Sequence, residues 1–156
     1  MTDTNANDIG AREPKTLALT LEQVIRVHYS NCFRHGLKPA QWQALRYFAL
    51  NEASQRTVTA FARHRASTMG TASTTISTLV KKGYLARDYG TGVPRNRGLY
   101  LTDKGRELLN DDPIEGLVAA LADLPESERK DLAQTLGKVL DGLQSGSTPA
   151  DAQASA

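Results

Sequence analysis

Apolar positions along this chain recur with a helical period in runs separated by short polar breaks, so helices account for most of what can fold. In the first run Leu21, Val24, Ile25, His28 and Cys32 lie on one stripe, and Val27, Tyr29 and Phe33 widen it until most of the helix girth is apolar. Thr20-Leu-Glu-Gln23 has the form of a capping box that opens this helix, and Gly36 is placed to close it. A second helix is predicted from Pro39, whose fixed φ suits a first turn; Trp42, Leu45, Arg46 and Ala49 share a face beside Tyr47 and Phe48. Asn51 to Ser54 reads as a loop, after which Thr57 can cap a short third helix carrying Val58, Phe61 and Ala62 at i, i+3, i+4.

A turn through Ala66 to Gly70 leads into Thr71-Ala-Ser-Thr-Thr-Ile-Ser-Thr-Leu-Val-Lys-Lys-Gly83. Ala72, Ile76, Leu79 and Val80 form its buried stripe, while Thr71, Ser73, Thr74, Ser77 and Thr78 present a short-armed front of hydroxyls able to donate or accept. After Gly83 the period changes. Tyr84 to Tyr89 and Gly98 to Leu101 are short and β-prone, and they bracket a Gly- and Pro-containing hairpin tip, Gly90 to Arg97. Thr102 can cap a further helix through Leu109, and Asp112-Pro113 marks a kink or a new start. Two amphipathic segments follow, one with Ile114, Leu117, Val118 and Leu121, the other with Leu132, Ala133, Leu136, Val139, Leu140 and Leu143. Residues 1–16 and 145–156 are polar, unpatterned and expected to be disordered tails.

Charge changes the reading of the hydroxyl-rich helix, which alone would pass for a solvated face. From Arg56 to Arg106 ten Lys/Arg face two acids, a net of +8, whereas the whole chain carries +2. Residues 107–156 hold ten acids against three bases. Positive charge focused in one third of a chain is the footprint of a polyanion-binding module. Two short helices joined by a tight turn, the second with a polar front, form a helix-turn-helix that can lay its second helix in the major groove. The hairpin behind it then reads as a wing, with Arg95 and Arg97 near its tip placed for phosphates or a narrow minor groove. Arg63, Arg65 and Thr68 in the turn are expected to add DNA contacts, and Thr71, Ser73, Thr74, Ser77 and Thr78 to lie on or near base edges.

The expected fold is therefore mainly α with a small β-hairpin wing, a winged helix-turn-helix spanning residues 37–106. Its core cannot cover the apolar faces of residues 17–36 and 107–144, so these are assigned to a helical dimerisation region, with Leu21, Val24, Ile25, Leu132, Leu136, Val139 and Leu140 at the contact. No apolar run nears 18 residues and no secretory signal is visible, and a single cysteine fits a reducing compartment; a cytoplasmic protein is expected. Nucleophile elbow, phosphate-cradling Gly loop and convergent carboxylate pair are all missing, so no enzymatic activity and no cofactor are expected.

His28, Cys32 and His35 share one side of the first helix and could contribute to a zinc or copper set, although three ligands strung over about 10 Å of helix are too far apart to converge on one ion unaided. The plainer assignment puts His28 and Cys32 in a dimer core and His35 at the helix C-terminus.

Leu37-Lys-Pro-Ala-Gln-Trp-Gln-Ala-Leu45, Thr57-Val-Thr-Ala-Phe-Ala62, Gly70-Thr-Ala-Ser73, Leu79-Val-Lys-Lys-Gly-Tyr-Leu85 and Leu101-Thr-Asp-Lys-Gly-Arg-Glu-Leu-Leu109 resemble, in order and spacing, successive signatures of the MarR family of bacterial winged-helix regulators. The resemblance implies a homodimer formed by the first and last helices, a Gly70 to Lys82 helix in the major groove and a wing at the minor groove. It also implies a small effector bound between the dimer helices and the DNA-binding lobe. Three positions depart from the family pattern. Arg65-Ala66-Ser67 stand where an apolar residue, Gly and another apolar residue are usual, Arg95-Asn96-Arg97 replace an Asp followed by paired arginines, and Thr74 replaces a longer polar or basic side chain. Some members sense peroxide through a thiol near the start of the first helix, whereas Cys32 lies at its end. The function expected is a sequence-specific double-stranded DNA-binding transcriptional regulator, a repressor, binding a pseudo-palindromic operator as a dimer and released by a small effector. The alternatives are a winged-helix module that docks a protein, and a metal- or redox-sensing regulator acting through His28, Cys32 and His35.

Overall fold

The computed structural model describes residues 13–87 and 98–146, which divide between Ile114 and Glu115 into two compact units. In the first unit the order is α1 (Pro14–Asn31), α2 (Pro39–Leu50), a 3₁₀ turn (Ala53–Gln55), α3 (Val58–His64), α4 (Met69–Lys81), β1 (Leu85–Arg87), β2 (Leu99–Leu101), α5 (Asp103–Leu108) and a second 3₁₀ turn (Leu109–Asp111). Helices α6 (Ile114–Ala122) and α7 (Glu126–Gly146) follow. Together the elements make a mainly helical winged helix-turn-helix with a two-stranded antiparallel hairpin, as the periodicities predict.

Helix α1 departs from the expected bounds at both ends. It starts at Pro14, inside the segment assigned to a tail, because Pro is pre-organised for a first turn. Thr20 consequently lies in the helix interior and caps nothing; its hydroxyl donates back to the Thr16 carbonyl at 2.9 Å. The helix stops at Asn31 with Cys32 as its C-cap, and the chain turns through His35 and Gly36, both left-handed at φ 53° and 65°. Gly36 thus shapes the connection and does not end the helix.

Helix α2 is the post around which the first unit packs. Gln41, Trp42, Ala44, Leu45, Tyr47 and Phe48 are all buried on it. The Trp42 indole donates to the Cys32 carbonyl at 2.9 Å, pinning the end of α1 to α2. Phe61 and Ala62 of α3 and Ala72, Ile76 and Leu79 of α4 complete the core against Phe48 and Tyr47, with Phe48 and Phe61 ring centroids 5.7 Å apart. Cys32 belongs to this same core at 1 % exposure, so burial inside its own chain replaces the dimer-core position expected for it.

The hairpin strands pair Leu85 with Leu101 and Arg87 with Leu99, turning three leucines inward and Tyr100 outward. Thr102 joins wing and helix. Its hydroxyl accepts from the Gly105 amide at 3.0 Å, capping α5, and lies 2.7 Å from the Gly83 carbonyl to which it donates. Gly105 is required there for space, since a Cβ would overlap the Tyr84 carbonyl oxygen. At the end of this unit Asp112 accepts from Arg46 of α2 at 2.6 Å and from the Ile114 amide at 2.9 Å, so one carboxylate ties α2 to the last residues of the unit.

In the second unit α6 ends in a turn where the Leu124 amide donates to Leu121, and α7 begins after Pro125. Among the described residues neither helix buries a side chain fully, and Val118, Leu136, Val139, Leu140 and Leu143 are exposed. No helix among the described residues is long and apolar enough to cross a membrane.

Candidate nucleic-acid interface

The α3–turn–α4 segment is fixed by two threonine caps. Thr57 accepts from the Ala60 amide at 3.1 Å at the start of α3, and Thr68 accepts from the Thr71 amide at 3.2 Å at the start of α4. Thr68, expected among the DNA contacts, therefore also sets where the second helix begins. The signal was available in the sequence as a Thr immediately preceding a helical run. Between the helices the chain reverses at Ala66, held at φ 48° where the related pattern has Gly. Main-chain bonds from Ala66 to Arg63 and from Ser67 to Ala62 close the turn.

Helix α4 seals Ala72, Thr75, Ile76 and Leu79 into the core and leaves Thr71 and Thr74 exposed, with Ser73, Ser77 and Thr78 half-buried. Thr71, Thr74 and Thr78 follow one another at i, i+3, i+7 along the outer face. Two of their hydroxyls, those of Thr74 and Thr78, direct their protons into the helix backbone. Thr74 donates to the Gly70 carbonyl at 3.0 Å, Thr78 to the Thr74 carbonyl at 2.9 Å and the inward Thr75 to the Thr71 carbonyl at 3.0 Å. Thr71 and Thr68 share a hydroxyl–hydroxyl bond of 2.9 Å.

The positive charge divides into two sets. Lys82 donates to the Gly36 carbonyl and Lys104 to the Lys82 carbonyl, each at 2.9 Å, and Lys104 lies 4.8 Å over the Tyr84 ring. Arg56 donates to the Asn51 carbonyl at 2.7 Å, and Arg106 to the Leu101 carbonyl at 2.8 Å and to Asp103 at 2.6 Å. These four cations brace helix ends and loops. Arg63 and Lys81 point to solvent around the helix-turn-helix, and Arg87 does so at the end of β1. Arg65 is half-buried, and its Nη1 and the Ser67 hydroxyl, both shielded from solvent, have no hydrogen-bond partner among the described residues. Arg95 and Arg97 of the wing tip lie outside the described residues.

The His28, Cys32 and His35 triplet does not assemble. The Cys32 sulfur is 3.3 Å from the His28 carbonyl oxygen and 3.7 Å from its Nε2, whereas His35 turns to Asp111 at 3.4 Å and packs edge-on to Trp42. Among the described residues no group of three or more His, Cys, Asp or Glu side chains is placed to hold a metal ion. Burial pushes the Cys32 thiol up, with Arg46 opposing and Asp112 reinforcing the shift, so the thiolate is scarce at neutral pH. Of the residues assigned to dimerisation, Leu21, Val24, Ile25, Leu136, Val139 and Leu140 are exposed and Leu132 is half-buried.

Residues 35–92 match the family model described as MarR family. No curated protein is significantly similar in sequence. Among solved structures, the MepR–DNA complex of Staphylococcus aureus superposes with a TM-score of 0.67 at 18% identity, covering 84% of this chain and 96% of that one. Staphylococcus aureus MarR in complex with salicylate and kanamycin gives 0.64 at 18% identity, with coverages of 84% and 89%. The MarR family protein Rv2887 of Mycobacterium tuberculosis in complex with salicylic acid gives 0.61 at 22% identity, with coverages of 81% and 96%. Residues 35–92 are thus similar to the MarR family, and the chain shares the winged helix-turn-helix fold of these solved structures.

Proposed function

We propose that this protein is a sequence-specific double-stranded DNA-binding repressor that acts as a homodimer on a pseudo-palindromic operator and is released by a small effector. The observation that carries the reading is α4, whose apolar back is sealed in the core while a short-armed polar face led by the exposed Thr71 and Thr74 remains open, in a segment whose cations Arg63, Lys81 and Arg87 are also exposed. Such a face can enter a major groove about 12 Å wide, with the cations on flanking phosphates. MepR, solved with DNA on the same fold, supports the partner, and the salicylate-bound relatives support a small ligand.

Apolar surface left exposed supports the dimer. Helix α1 runs for 18 residues without one buried side chain and exposes Leu17, Leu21, Val24 and Ile25. Helices gain most of their stability in proteins from burying an apolar face, and two copies related by a twofold axis bury the same faces twice. They would also present two copies of α4 to half-sites about 34 Å apart.

The test is fluorescence anisotropy of the full chain on duplexes from upstream of its own gene and on shuffled controls, across a salt series. Specific binding is expected to exceed the control by at least ~10³-fold. With about 6–10 phosphates engaged, the log–log salt slope should be roughly −5 to −9. Equal, weak binding to both duplexes would refute the reading.

A further inference from the structure

Helix α4 carries no Arg, Asn, Gln or Lys between Met69 and Val80, the side chains that make bidentate bonds to guanine or adenine edges. What its outer face offers is therefore set by the threonines, and two of these have already committed their protons. The Thr74 hydroxyl donates to Gly70 and the Thr78 hydroxyl to Thr74, at 3.0 and 2.9 Å along the same face. A hydroxyl has one proton. Once it serves the preceding turn of helix, the side chain has a γ-methyl and spare lone pairs left for a partner, and no donor for guanine N7 or O6. Gly70, one turn before Thr74, adds nothing that would hold a base edge away: a Cβ built there meets only the Thr68 hydroxyl, at 4.0 Å.

Resting on the DNA-binding reading above, we propose that Thr74, with Thr78 one turn behind it, is a specificity-determining residue that reads thymine through methyl–methyl contact in each half-site. Apolar contact with the thymine C5-methyl is an established element of major-groove readout, and a threonine methyl suits it. Thr74 is exposed and Thr78 half-buried, which makes Thr74 the leading contact.

The test uses the full-length chain and the duplex it selects from a random-sequence pool. Thr74→Val keeps the methyl and deletes the hydroxyl, whereas Thr74→Ser keeps the hydroxyl and deletes the methyl; thermal melting checks that both variants fold. Thr74→Val should bind within about twofold of the parent. Thr74→Ser should lose about fourfold per half-site, the effect of one buried methyl-sized group. Replacing half-site thymines one at a time by deoxyuridine should reproduce that loss at one position for the parent chain, and Thr74→Ser should be indifferent at that position. A Thr74→Val variant that loses tenfold while Thr74→Ser binds normally would mean that the hydroxyl does the reading and would overturn the proposal. So would a parent chain indifferent to every deoxyuridine. A pool from which no sequence is enriched would overturn the DNA-binding reading itself, and the two failures are thus distinguishable.

Discussion

Asp112 makes a shielded, doubly used polar contact in the first unit, and the effect of its removal follows from the geometry. The side chain is 5% exposed, Arg46 opposite it is 21% exposed, and one carboxylate oxygen serves both the guanidinium at 2.6 Å and the Ile114 amide at 2.9 Å. Breaking a buried pair from one side costs about 3–5 kcal/mol because the remaining charge is stranded. Arg46 keeps a fifth of its surface in water, which reduces that to about 2 kcal/mol. Losing the helix cap adds about 1 kcal/mol. Asp112→Asn retains an oxygen for Ile114 and should cost the charge portion alone, about 2 kcal/mol, while Asp112→Ala should cost about 3 kcal/mol. Arg46→Met combined with Asp112→Asn removes both charges and should return to within about 1 kcal/mol of the parent. Urea unfolding followed by far-UV circular dichroism, at one fixed protein concentration because the proposed self-association would shift the midpoint, reads these differences. With a slope of about 2 kcal/mol per molar, Asp112→Asn moves the midpoint down by about 1 M. A loss below about 0.5 kcal/mol for Asp112→Asn, or a double variant as unstable as the sum of the singles, would refute the account of a shielded, mutually dependent pair.

Two further expectations concern single positions. Ala66 sits at φ 48°, where a Cβ costs about 1–2 kcal/mol, so Ala66→Gly should raise the melting temperature even after the entropy that Gly adds to the unfolded chain; a lower melting temperature would contradict the strain argument. Cys32, its thiol pushed above the ordinary value of 9.0 by burial foremost, stays protonated in the folded chain where the unfolded chain has already ionised. The folded state then binds more protons, so this group leaves stability unchanged below about pH 9.0 and erodes it above that value; Cys32→Ala should abolish that component of the alkaline slope in denaturant titrations.

What was legible in the sequence was local. Thr57 and Thr102 announce helix starts because a hydroxyl before an apolar-periodic run has a defined job, and Ala72, Ile76 and Leu79 face inward because helical geometry leaves no alternative. The wing strands show as a change of period after Gly83. Where the same local rule met competition it failed: Thr20 and Gln23 have the capping-box spacing, yet Pro14 supplies an earlier start and Thr20 ends inside the helix. Long-range pairings such as Arg46 with Asp112, 66 residues apart, leave no periodic trace, and neither does the reach of Lys82 to Gly36. The candidate interface was legible as residue types but not as chemistry. Which way a threonine proton points depends on the carbonyl four residues back, and composition is blind to that.

On the DNA-binding reading proposed above, that distinction governs how affinity and selectivity would divide in this protein. The net of +8 between Arg56 and Arg106 suggests a thickly cationic surface, yet Arg56, Lys82, Lys104 and Arg106 spend hydrogen-bonding capacity on their own backbone. Their charge still contributes to the long-range field, but on that reading close phosphate contacts would fall to Arg63, Arg65, Lys81 and Arg87, together with Arg95 and Arg97 of the expected wing tip. Six such cations per protomer are enough for the 6–10 contacts that the salt slope assumes once two copies bind. On phosphates they carry no sequence information, and between Met69 and Val80 α4 has no Arg, Lys, Asn or Gln with which to supply it. Selectivity must then come from short-range shape, where a methyl group either meets another or leaves a gap, and the steep salt dependence and the deoxyuridine sensitivity should therefore vary independently.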